Sequence, residues 1–192
     1  MKLKVFAVVI ASALFTTSAL AQTVFSTNLK GLHETPVVFS GASGHVTITI
    51  SRDEKSIDYE LTYSGLEGNN GPNRKVTAAH IHVGRPTISG GVVVFFCGGG
   101  NTATTQAACP TSAGSGGNPA LTGTWTATDV TNNASTQGIE SPNFNNEDAF
   151  ARFVKAIKEG LSYANVHTSR SPGGEIRGQL KRDHDRDDDD DR

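Results

Sequence analysis

Residues 45–63, HVTITISRDEKSIDYELTY, decide the fold class. Polar and apolar residues alternate from His45 to Ile50, break at the charged turn Asp53-Glu54-Lys55, and alternate again from Ile57 to Tyr63. Side chains two apart on a strand share a face, so the pattern predicts two half-buried antiparallel strands joined by a turn.

The same signal extends outward in both directions. Toward the N-terminus, Thr23 to Gly31 reads as a first extended segment, closed by turn-prone residues around Pro36. Toward the C-terminus, a Gly- and Asn-rich loop from Gly65 to Lys75 leads into the extended stretch Thr77–Val83, which Gly84 and Pro86 stop. Val92-Val93-Val94-Phe95-Phe96 is a continuous apolar run of strand length and predicts a fully buried strand. Residues 98 to 119 are mostly Gly, Thr, Ala and Ser, too poor in apolar volume for a core, and predict a mobile surface excursion. The strand pattern resumes from Leu121 to Ala127, around Trp125.

Helical spacing occurs once, from Glu147 to Glu159, where Ala149, Phe150, Phe153, Val154 and Ile157 form one apolar stripe. Asn145 or Asn146 can cap its start, Glu147 and Asp148 suit the positive end of the dipole, and Gly160 suits the stop. After it come the extended segment Leu161–Thr168, a turn at Ser171-Pro172-Gly173-Gly174 and a last strand from Glu175 to Leu180, together a closing hairpin. The expected fold class is mostly β, with one short helix.

The two ends read differently from the middle. Met1–Ala21 carries Lys2 and Lys4, then the apolar run VFAVVIASALF, then Ala19-Leu20-Ala21. That is the pattern of a secretory signal peptide cleaved after Ala21, and it predicts a secreted or periplasmic protein. No later stretch approaches the roughly 20 apolar residues a membrane-spanning helix needs. At the other end, 181–192 holds seven Asp, four basic residues and no apolar side chain, and predicts a disordered, solvated tail. The domain between them is expected over 22–180.

The whole chain has 17 basic and 19 acidic residues. Without the two lysines of the leader the net charge is near −4, which argues against nucleic acid as a partner. Cys97 and Cys109 lie in a chain expected outside the cytoplasm, so a disulfide is expected, closing the loop CGGGNTATTQAAC. On the loop-length view it contributes roughly 3 kcal/mol by restricting the unfolded chain, and the Gly/Thr/Ala-rich segment 97–119 is its loop and continuation.

The residues that carry chemistry are histidines. His80 and His82 are two apart on a predicted strand, so they point the same way with Cα atoms roughly 6.5 Å apart. Ala79, Ile81 and Val83 point the other way and are apolar, which puts the core on their side and the histidines on the outer face. His167 lies in a second strand, where Ala164 and Val166 supply the core side. If the two strands are neighbours, three imidazoles meet at one point, a first shell suited to copper or zinc, with copper ahead in the usual affinity order. His45 sits on an ordinary strand and His184 in the tail. Glu175 and Arg177 share a strand face, which a sheet-surface pair explains. Nothing supports nucleophilic catalysis: both cysteines are expected oxidised, and no G-x-S-x-G elbow or phosphate-cradling glycine motif occurs.

Three stretches, LKGLHETPVV (29–38), AAHIHVGRP (78–86) and EGLSYANVHTSRSPGGEIRGQL (159–180), resemble the CHRD domain first described in chordin, over Leu29 to Leu180, with the cysteine loop as an insertion. The resemblance implies an antiparallel β-sandwich, immunoglobulin-like or Cu,Zn superoxide dismutase-like. It implies little about activity, because a fold hosts many functions. The family usually places Asn before the Glu of the first motif; here that position is His33, which speaks against His33 as a shared ligand. Glu34, by its place in that motif, could orient a ligand imidazole. The His-x-His pair with a later His is also similar to the copper half of Cu,Zn superoxide dismutase, whose zinc-bearing loop has no counterpart here. Three readings follow: an exported copper- or zinc-binding domain on His80, His82 and His167; a metal-free interaction module for an envelope or extracellular protein; and a dismutase-like redox enzyme.

Overall fold

The structure is a computed structural model and describes residues 22–66, 75–99, 106–139 and 146–183. The proposed leader, most of the Gly65–Lys75 loop, the helix-capping Asn145 and the side chains of Asn146 and Glu147 lie outside the described residues, as does the tail from His184 onward.

The alternating stretch around residues 45–63 forms β2 (Ser43–Ile50) and β3 (Ile57–Ser64), flanked by β1 (Thr23–Lys30). Pairing is antiparallel and in register, Phe25 opposite Ile48 and Ile48 opposite Tyr59. Ser51 anchors the turn between β2 and β3, its hydroxyl donating to Asp53 and its amide to the Ser56 carbonyl. β4 (Val76–Val83), β5 (Gly91–Cys97) and β6 (Leu121–Trp125) follow, then helix α1 (Asn146–Lys158), β7 (Ser162–Thr168), β8 (Ile176–Gln179) and the two-residue β9 (Lys181–Arg182). Strand order is β5-β4-β7-β8-β1-β2-β3-β6, with β9 beside β1. The Trp125 indole N–H donates to the Phe95 carbonyl at 2.9 Å, which draws the two end strands together and nearly closes the sheet. The expected antiparallel, mostly β class with one helix is the one observed.

The core lies on the concave side. Phe25, Leu29, Val46, Ile48, Ile57, Leu61, Ile81, Ala164, Val166 and Ile176 are all at most 1 % exposed. The apolar stripe of α1 closes one end with Phe150, Phe153, Val154 and Ile157. This helix stops as its glycine requires: Gly160 takes φ +67°, the Gly160 amide donates to Ile157 and the Leu161 amide to Ala156, which satisfies carbonyls the last turn leaves open.

Three expectations change. The run Val92–Phe96 is not uniformly buried, because β5 ends the strand order and Val92 and Phe95 remain half-buried. Two β-bulges, opposite the steps Ala79/His80 and Ile81/His82, leave Phe96 and Val93 without partners on β4 and bury them. The unbroken apolar run therefore reflects bulges, which turn successive side chains inward. Second, the loop after β5 is tied down where it is described. The Cys97–Cys109 disulfide closes it, with a Cα–Cα distance of 5.0 Å. Ala113 exchanges two backbone hydrogen bonds with Tyr63 and is fully buried, and the Tyr63 hydroxyl donates to the Pro110 carbonyl at 2.7 Å. Third, the chain stays ordered past Leu180. Lys181 and Arg182 pair with Ser26 and Phe25, and the Ser26 hydroxyl donates to Asp183, so polar side chains do not prevent pairing along an open edge.

Candidate metal centre

Because β4, β7 and β8 pair antiparallel, their outward side chains fall into rows: His80, Asn165 and Arg177 in one, His82, Tyr163 and Gln179 in the next. His167 lies opposite Ala78, just beyond His80. The outer face predicted for the histidines is thus the face they occupy. Exposure is where the structure corrects the expectation, since His80 is 5 % and His82 9 % exposed. The reason is long-range: residues 31–42 and 84–90, both loops, fold across the sheet and bury a polar layer beneath them.

That layer is pinned by hydrogen bonds. Arg177 Nη2 donates to the carbonyls of Arg85 and Ile88, and Gln179 Nε2 to those of Gly84 and Gly160. The Arg177 guanidinium lies 3.4 Å over the Tyr163 ring. Asn165 Nδ2 donates to Glu34 Oε1 at 2.8 Å, and the two oxygens of Glu175 accept from the hydroxyls of Ser40 and Thr168. Glu175 and Arg177 are therefore not a sheet-surface pair: both are buried, and each ties a covering segment to the sheet. Two glycines make the cover possible. A Cβ on Gly174 would sit 2.3 Å from Asn165 Nδ2 and 2.5 Å from Glu34 Oε1, and one on Gly90 would sit 1.7 Å from the Val83 carbonyl oxygen.

The rings of His80 and His82 are 4.5 Å apart, those of His80 and His167 4.4 Å, and those of His82 and His167 6.4 Å, centroid to centroid. Phe95 packs edge-on against His80, and Tyr163 stacks on His82 at 4.6 Å. His82 Nδ1 is 2.7 Å from the Gly90 carbonyl and His167 Nδ1 is 2.8 Å from the Pro172 carbonyl. A carbonyl only accepts, so both Nδ1 atoms carry the proton and both Nε2 atoms keep a free lone pair. Those two Nε2 atoms and His80 Nδ1 are buried without a hydrogen-bond partner. One ligand nitrogen from each ring lies within 4.8 Å of the others. Metal–nitrogen bonds are about 2 Å long, so two nitrogens on one ion are at most about 4 Å apart, and a small closing of the rings lets the group hold one metal ion.

Electrostatics favour the neutral, ligating form of each ring. Burial pushes His80 down to about 2 and His82 down to about 4, helped at His80 by His82 and His167 and at His82 by His167 and Arg177. Burial also lowers His167, against its bond to Pro172. Glu34 moves the other way, up to about 7, because burial outweighs the Arg177 charge. The acceptors that orient His82 and His167 are backbone carbonyls, while Glu34 holds Asn165. Tyr163, Asn165, Phe95 and the two carbonyls were not among the site residues legible in the sequence. Their signal was present in part, since Tyr163 and Asn165 alternate with Ala164 and Val166 onto the face of His167.

An antiparallel β-structure whose outer face is buried under two loops, around three converging imidazoles, is the class these observations define. Residues 25–180 match the profile of the CHRD domain, and the chain belongs to that family. No curated protein and no solved structure matches it.

Proposed function

We propose that this CHRD-domain protein is exported and binds copper, with zinc second, through His80, His82 and His167. One observation carries the reading: three rings with ligand nitrogens within 4.8 Å of one another each hold a buried nitrogen that has no hydrogen-bond partner. An unpartnered buried polar atom costs about 1–3 kcal/mol, and three together call for a ligand. Carbonyl partners that fix the tautomer of His82 and His167 are the usual outer support of metal-bound histidine. Glu34, Glu175 and Arg177 act one layer out by holding the covering loops. Export rests on the leader-like residues 1–21 and fits the disulfide. No helix among the described residues is long and apolar enough to cross a membrane.

The test is metal content and affinity of protein purified from the export compartment, against a variant with all three histidines changed to Ala. One copper per chain in the native protein and none in the variant is the expected result. Equal binding by both ends the reading.

A second reading, an interaction module, is favoured by a separate observation. The exposed large apolar residues among those described, Leu32, Val37, Phe39 and Ile88, all lie on the two covering loops, with Phe39 88 % exposed. Between the loops runs a groove of about 690 Å³, lined in part by Leu32, Val37, Pro86 and Arg177 and by none of the three histidines. Exposed apolar side chains gathered beside a groove are the kind of surface that contacts another molecule.

A further inference from the structure

We infer that the three-histidine site is built for monovalent copper, Cu(I), in preference to Cu(II) or Zn(II). This rests on reading the three rings as copper ligands, and it adds which charge state they take. The cost of placing an ion in a dry site grows as the square of its charge, so a divalent ion pays on the order of four times the penalty of a monovalent one unless anionic ligands offset it.

No anion is among the ligands. The ligand set is three neutral imidazoles. Their ring neighbours are one another, Phe95 and Tyr163, and their hydrogen bonds go to the carbonyls of Gly90 and Pro172. The two buried carboxylates of the layer are engaged one shell away, Glu34 with Asn165 and Glu175 with Ser40 and Thr168. Beside His82 the charge is positive: Arg177 lies over Tyr163, which is stacked on that ring, and a guanidinium there disfavours a second unit of positive charge.

Opposing this is the ordinary affinity order, in which nitrogen ligands hold Cu(II) more tightly than other first-row divalent ions. The outcome is therefore a matter of magnitude. The added desolvation of a second unit of charge, with no anion among the ligands, costs roughly a factor of a hundred in affinity. That is enough to place Cu(I) first.

The experiment is a set of competition titrations on the full exported protein: Cu(I) against bicinchoninate without oxygen, Cu(II) and Zn(II) against nitrilotriacetate. Cu(I) binding at least about tenfold tighter than either divalent ion is the expected result. Arg177→Gln, whose amide can still donate to the loop carbonyls, should narrow that gap by about tenfold. Divalent ions binding the native protein as tightly as Cu(I) would overturn the inference while leaving a metal site in place. Binding of none of the three ions would instead remove the reading on which it rests. If the Gln variant does not fold, the native comparison still decides.

Discussion

The two faces of β4, β7 and β8 are both nearly dry, and they are dry by opposite means. On the inner face Ala79, Ile81, Ala164, Val166 and Ile176 pack at 0 % exposure against the common core. On the outer face His80, Tyr163, Asn165 and Arg177, at most 5 % exposed, are buried by loops that must be pinned bond by bond. Apolar burial is non-directional and roughly proportional to area. Polar burial is stabilising only where each donor finds its acceptor. The inner face therefore sets stability, and the outer face gives up part of it at buried atoms left open, the three ring nitrogens and the amide oxygens of Asn165 and Gln179.

The largest expected effect lies on the inner face. Ile81→Ala should lower unfolding free energy by about 3 kcal/mol, from lost transfer energy and the cavity left behind, measured by urea denaturation of the metal-free protein. It changes no outer-face contact, so metal affinity of the folded fraction should be unaltered. A comparable loss of affinity would show that the two faces are not separable. Gly174→Ala tests the cover instead. At φ +122° the new Cβ meets Asn165 and Glu34, and Gly174 lies two residues beyond the Pro172 carbonyl that holds His167. A destabilisation of about 2 kcal/mol is expected. Metal affinity should fall with it, unlike in Ile81→Ala.

How much of this was legible follows the same division. Alternation placed β2, β3, β4 and β7 and chose their inner residues, because a period of two is a local property of the chain. His80, His82 and His167 were legible as one group, since strand geometry gives their direction and a shared motif gives their company. What no local pattern carries is the cover. Glu34 reaches Asn165 across 131 positions and Arg177 reaches Ile88 across 89, so burial of the outer face is written in contacts between distant segments. The bulges that bury Val93 and Phe96 were hidden for a related reason, as an unbroken apolar run fits a flat buried strand equally well.

Acid should separate the faces by a smaller amount. His80 and His82 take up protons near pH 6.5 when unfolded, but only near 2 and 4 when folded. Their contribution is complete above pH 6.5 and is lost as pH falls from there toward the folded values. Glu34 has the opposite sign: raised to about 7, it binds its proton more readily when folded, so its contribution is full below about pH 4.5 and is lost as pH rises through 7. Between pH 6.5 and 4.5 two histidines outweigh one glutamate, and metal-free stability should drop by about 1 kcal/mol per pH unit. Glu34→Gln, which keeps an acceptor for Asn165, should steepen the drop. A flat profile in both proteins would mean the rings are wet, not buried.

The smallest expected effect has the opposite sign from the first. His80→Leu replaces a ring whose buried Nδ1 has no partner with an apolar side chain of similar bulk, beside Phe95. Removing an unsatisfied buried polar atom returns its desolvation cost, while the packing against Phe95 is largely kept. The metal-free variant should therefore be more stable than the native protein by about 1 kcal/mol in urea denaturation. In the presence of copper the order should reverse, because only the native protein gains stability from a bound ion. An outer-face substitution that stabilises the empty protein and forfeits the loaded one is what distinguishes a face kept for a ligand from a face kept for the fold. If His80→Leu destabilises the metal-free protein as Ile81→Ala does, His80 is structural and the contrast between the two faces fails.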